Sequence, residues 1–152
     1  MRKIGILFLA VITLFMTGCG AKEKNIEGSL TDIMAKVYEG IPEEELPMAL
    51  SNIEVTKDTL ANYVGTSDID MKEALASESM VGSIAHSVVL IRMNEGADVA
   101  AAVTAIQENA NPRKWICVEA ENVYVESKGD LIILIMSGEN ADTLKTNFEN
   151  LQ

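Results

Sequence analysis

The sequence predicts an α+β fold, a four-stranded, mainly antiparallel sheet in β-β-α-β-β-α order with helices packed on it and further helices ahead of it. Three observations predict it. Residues 86–93, HSVVLIRM, and 131–136, LIILIM, are apolar runs of strand length, rich in β-branched side chains. Residues 122–127 set Val123 and Val125 against Tyr124 and Glu126, the alternation of a strand with one wet face, and Lys128-Gly129 is a hairpin turn into the next run. Leu30, Ile33, Met34, Val37, Tyr38 and Ile41 recur at the spacing of one helix face.

Ser29 opens that first helix, with Ser29-x-x-Asp32 as a capping-box variant, and Gly40 and Pro42 end it. Glu43-Glu44-Glu45 is a solvated turn or helix start, and Leu46, Met48 and Leu50 around Pro47 form a packed segment of open type. Thr56 can cap a helix over 57–64, stopped by Gly65, with Leu60, Tyr63 and Val64 inward. After a loop at 66–70, residues 72–79 are the first strand, carrying small Ala74 and Ala76. Gly82-Ser83 turns the chain into the strand at 86–93, which Asn94-Glu95-Gly96 closes. Residues 97–109 form a helix with a stripe of Val99, Val103 and Ile106 running on to Ala110, and Asp98 suits its positive end. Asn111-Pro112 stops it, and 113–118 lead back to the sheet. Gly138 precedes a last helix with Ala141, Leu144, Phe148 and Leu151 on one side.

Short connections favour antiparallel neighbours and let the helices at 97–109 and after Gly138 share one face of the sheet. The two apolar strands have no wet face, so the second face also needs a cover. The helices at 29–39 and 57–64 can supply it, as can a partner protein.

The N-terminus carries an address. Arg2 and Lys3 precede a twelve-residue apolar run, Ile4 to Phe15, and then Met16-Thr17-Gly18-Cys19. This is the anatomy of a secretory signal, and the run is short of the ~20 residues a membrane span needs. Met16-Thr17-Gly18-Cys19 resembles the lipobox of bacterial lipoproteins, which implies cleavage after residue 18 and a diacylglyceryl group on Cys19. A plain cleaved signal or an uncleaved helix are the other readings. Two acyl chains hold a protein stably on a bilayer. The expectation is a signal peptide at 1–18, a lipidated cysteine and polar tether at 19–28, and one domain at 29–152 on the extracytoplasmic face of the cell membrane. A flexible tether over residues 20–28 spans about 16 Å.

The chain of 152 residues has 12 basic and 23 acidic side chains. Without Arg2 and Lys3, 10 stand against 23, a net of −13 for the 134 residues from Cys19 onward. That balance excludes nucleic acid as a partner and opposes adsorption to an anionic membrane surface. If Cys19 is acylated, Cys117 is the remaining cysteine and the fold has no disulfide. Its setting, Trp115-Ile116-Cys117-Val118, predicts a buried thiol acting as a small hydrophobe.

Ser83, His86 and Ser87 form the first candidate cluster, and His86 is the sole histidine. A serine near a histidine can serve as nucleophile and base, yet there is no Gly-x-Ser-x-Gly elbow and no acid placed to orient the ring. A structural histidine at a strand start is the simpler expectation. A His86–Cys117 dyad requires contact and exposure. One histidine and one thiol fall short of a zinc set, and Asp68 and Asp70 lack the glycine and terminal glutamate of a calcium loop. Arg113-Lys114, the one adjacent basic pair after Cys19, stands beside the single tryptophan, Trp115. A cation on an aromatic platform can bind an anionic wall polymer, a carboxylate or a protein groove. Alternatively Trp115 packs under the helix and Arg113 pairs with an acid. No phosphate-binding glycine loop and no zincin motif occur, so the sequence points to no cofactor and no metal.

Residues 82–93, GSIAHSVVLIRM, 111–118, NPRKWICV, and 129–136, GDLIILIM, together resemble a family of lipoproteins from Gram-positive bacteria that carry a domain of unknown function. The resemblance covers about residues 30–151. It implies a lipid anchor, in agreement with the lipobox, and supplies no activity, cofactor or site residue. Two functions follow: a membrane-anchored binding or scaffold module, working on a cell-envelope protein or wall polymer through Arg113, Lys114, Trp115 or His86; or an extracytoplasmic hydrolase or thiol enzyme using Ser83, His86 or Cys117.

Overall fold

The computed structural model describes residues 24–152, so Cys19 and the signal segment lie outside the described residues. The elements among the described residues are α1 (Leu30–Val37), β1 (Leu50–Val55), α2 (Leu60–Val64), β2 (Met71–Ser79), β3 (His86–Met93), α3 (Val99–Asn109), β4 (Asn122–Lys128), β5 (Leu131–Ser137) and α4 (Ala141–Glu149), with a 3-10 turn at Glu43–Glu45. The fold is α+β with an antiparallel sheet.

The expected four-stranded sheet has a fifth strand. Among the described residues the order is β1-β2-β3-β5-β4, with every neighbouring pair antiparallel. The added edge strand, β1, pairs Leu50 with Ser79 through Val55 with Ala74. Its period-two signal is present in Ile53 and Val55 against Asn52 and Glu54, but Ser, Asn and Glu are poor strand formers and mask it.

The helices are sorted differently from expectation. Helices α3 and α4 do not share a face. Because β5 lies between β3 and β4, those two strands run parallel, and α3 is the crossover that joins them. The hairpin from β4 to β5 returns the chain to the centre of the sheet, and α4 then packs on the other side. One core layer joins Leu60 and Val64 of α2, Ala102 and Ile106 of α3, and Val89, Ile91, Ile132 and Leu134 of the sheet. The opposite layer joins Ile33, Met34 and Val37 of α1, Leu144 and Phe148 of α4, and Val88, Leu90, Ile133 and Ile135. The second face is therefore covered from within the chain. Every residue of β3 and β5 is buried, as their lack of polar alternation requires. Each such Val, Leu or Ile contributes about 1.5–3 kcal/mol of burial.

Two helix ends follow their sequence signals. The Ser29 hydroxyl accepts from the Asp32 amide at 3.1 Å and donates to its carboxylate at 2.7 Å. The Asp98 carboxylate accepts from the Ala101 amide at 3.0 Å. Helix α2 starts three residues later than expected, because Thr56 and Thr59 spend their hydroxyls on a local turn, the Thr59 Oγ1 accepting from the Thr56 amide at 3.0 Å.

The predicted flexible tether is shorter than residues 20–28. Ile26 is buried against α1 and α4, and its carbonyl accepts from Arg92 Nη1 at 2.8 Å while the Gly28 carbonyl accepts from Nη2 at 2.9 Å. Arg92 is buried on β3 and is completed by Glu73 at 2.9 Å and Asp130 at 3.3 Å. A buried guanidinium has to place all its donors, and two go to this segment.

Candidate functional site

The sheet has two unlike ends. At one, the chain enters: residues 24–28, Arg92, the Gly129-Asp130 turn and the last residues of β3 meet there. At the other lie His86, Ser137, Asn122, Ser79 and Leu50, the residues paired across successive strands. The sequence-derived candidates Ser83, His86, Arg113, Lys114, Trp115 and Cys117 all belong to this second end.

His86 opens β3 opposite Ser137, the last residue of β5. Its Nδ1 is 2.9 Å from Ser137 Oγ, and its Nε2 is 2.7 Å from the Tyr38 hydroxyl at the end of α1. Ser137 Oγ donates its one proton to the Glu139 carbonyl at 2.8 Å. Ser137 must therefore accept from Nδ1–H, and the neutral ring accepts from Tyr38 O–H through Nε2. The tautomer follows from the network. Burial holds the ring neutral, pushing its pKa from 6.5 down to about 4 against a smaller opposing pull from Glu78. Burial likewise raises the Tyr38 phenol. With both nitrogens committed, His86 is a structural residue that ties α1 to the sheet end. It makes no hydrogen bond to Ser83.

The basic pair divides. Lys114 turns inward and ion-pairs with Glu78, lies 3.2 Å from Ser87 Oγ, and sits 5.3 Å from the ring centres of both Tyr63 and Trp115. Ser87, fully buried, also donates to Glu78 at 2.6 Å. Trp115 packs against the α2/α3 core layer. The cation and its aromatic platform thus satisfy each other inside the fold. Arg113 stays exposed and pairs with Glu119 at 3.2 Å.

Cys117 corrects the expectation of a buried thiol: it is exposed. Residues 113–118 form turns over the sheet end and do not rejoin it as a strand, so Trp115 alone of the Trp-Ile-Cys-Val run packs inward. Cys117 also takes a left-handed φ of 61°, a strained conformation for a residue with a Cβ. No hydrogen bond joins Cys117 to His86.

Beside His86 is an open cleft of about 440 Å³ between the segment 44–48, the turn 83–85, residues 118–121 and the start of the α4 approach at 137–139. Its lining includes Ser83 and His86, apolar Leu46, Pro47, Ile84 and Val118, and acidic Glu44, Glu45, Glu119, Glu121 and Glu139; no Lys or Arg lines it. Sequence reasoning missed Tyr38, Ser137 and the glutamates of this cleft as neighbours of His86, because they come from four separate segments. Arg92 was detectable as the one charge in an apolar strand.

Among the described residues no three His, Cys, Asp or Glu side chains are grouped to hold a metal ion, and no helix is long and apolar enough to cross a membrane. Comparison of the chain with protein-family models, with curated proteins and with solved structures finds no match.

Proposed function

We propose that this chain is a lipid-anchored extracytoplasmic lipoprotein acting as a binding or scaffold module. The observation that carries the reading is the attachment of residues 26–28 to Arg92 at one end of the sheet, with the cleft at the opposite end. Ile26 lies seven positions beyond Cys19, a reach of at most about 25 Å. An acyl group on Cys19 would hold the Arg92 end toward the bilayer. β3, eight residues and about 26 Å long, would then carry the cleft outward. The lipobox-like Met16-Thr17-Gly18-Cys19 supports the same reading, and the commitment of both His86 nitrogens favours a binding role over a hydrolytic or thiol one.

The test is metabolic labelling with palmitate in a Gram-positive host, with membrane fractionation. The wild-type chain incorporates label and sediments with membranes. The Cys19→Ala chain does neither. Label persisting in the variant, or wild-type chain in the cytosol with its first 18 residues retained, overturns the reading.

A further inference from the structure

The four large apolar side chains exposed among the described residues, Met48 at 71%, Met80 at 65%, Ile116 at 73% and Val123 at 39%, all belong to the cleft end of the sheet. Met48, Met80 and Ile116 are carried on segments laced together: the Met80 amide donates to the Ala49 carbonyl at 3.1 Å, and the Ile116 amide to the Gly82 carbonyl at 3.0 Å; Val123 stands apart on the edge strand β4. Scattered exposed hydrophobes need no explanation, but their concentration at one end of a small domain marks an interaction surface. Beside them, Glu44, Glu45, Glu121 and Glu139 line the cleft with no ion-pair partner among the described residues.

We propose that this end docks a basic, apolar-flanked segment of a partner protein, which lays its apolar side chains on Met48, Met80 and Ile116 and inserts a Lys or Arg into the cleft. The shape and chemistry agree with a long cationic side chain: apolar walls at Leu46, Ile84 and Val118 take the methylenes, and the carboxylates take the charge. A small polyamine would use the carboxylates alone and leave the apolar side chains unexplained. A docked protein uses both, with charge complementarity setting orientation and approach. That the surface faces outward rests on the lipoprotein reading; its binding chemistry does not.

The test titrates the full chain, methyl-labelled and held in uncharged detergent, with the peptide LKALK, its acidic counterpart LEALE, and spermine. LKALK is expected to shift the Met48, Met80 and Ile116 methyl resonances and to bind more weakly as salt rises. Glu45→Lys/Glu139→Lys and, separately, Met48→Ser each weaken it by about tenfold. The proposal is overturned if LKALK leaves these methyls unmoved, if LEALE binds as well, or if spermine binds as tightly with the same shifts. Cys19→Ser separates the two readings: its peptide binding reports on the cleft and its palmitate labelling on the anchor, so either fails alone.

Discussion

His86 Nδ1 and Ser137 Oγ stand 2.9 Å apart across the ends of β3 and β5, in a hydrogen-bond relay whose direction, from Tyr38 to the Glu139 carbonyl, is fixed by Ser137 donating to that carbonyl. Such a relay needs a neutral ring. Protonated His86 would present a donor to Tyr38 and lose its acceptor.

Stability therefore falls in acid. His86 has its pKa near 4 in the fold and near 6.5 when unfolded, so between those values the unfolded chain binds the extra proton. The contribution is fully present above pH 6.5 and is lost as pH falls toward 4, to a total of about 3 kcal/mol. Urea unfolding at several pH values should show a steeper decline across this window in the wild type than in His86→Gln. Parallel profiles would refute the assignment.

Arg92 and the segment it clamps should rise and fall together. Arg92→Met leaves Glu73 and Asp130 without their cation and frees the Ile26 and Gly28 carbonyls, at a cost of about 3 kcal/mol. Amide exchange at residues 26–30 should accelerate more than exchange in β1. Arg92→Lys recovers only part of the protection, since an ammonium lacks the fork that spans both carbonyls.

Gly65 and Gly96 both have φ above +80°, yet they should respond differently to alanine. A Cβ on Gly65 would come 1.9 Å from the Asn109 carbonyl oxygen, where α2 and α3 abut, whereas one on Gly96 meets nothing within 4 Å. Gly96→Ala carries only the left-handed penalty of about 1 kcal/mol, while Gly65→Ala adds a backbone collision and costs about 3 kcal/mol or more. Equal unfolding midpoints for the two variants would contradict the close approach.

Exposure of Cys117 predicts that iodoacetamide modifies the native protein at nearly the rate of the unfolded one. Its φ of 61° predicts that Cys117→Asn is neutral or stabilising by about 0.5–1 kcal/mol, because asparagine tolerates the left-handed region. A protected thiol, or a clear loss of stability in the variant, would count against this geometry.

The strongest local patterns were legible in the chain. The runs at β3 and β5, the stripe of α1 and the Ser29 cap are short-range signals, and each forms as its pattern requires; β4 forms as a strand, but Val125 is buried while Val123 stays exposed and Tyr124 packs on a core layer, so its alternation does not sort a dry face from a wet one. The missed strand β1 lies at the sheet edge, where only Val55 is buried and polar residues dilute the signal. The cleft end was half legible. His86, Ser83 and Trp115 stand out by residue type, but Tyr38 lies 48 residues from His86 and Ser137 lies 51 away, and no spacing rule reaches that far.

The sequence by itself determined most of the element types, the acidic balance and the need to bury both faces of two central strands, because these depend on composition and on periods of two to four residues. Only the tertiary structure decided that α3 and α4 take opposite faces, that Lys114 is spent on Glu78, and that Cys117 and Ile116 stay in solvent. The first outcome turns on the insertion of β5 between β3 and β4, and the others on contacts between segments far apart in the chain, which no local pattern encodes.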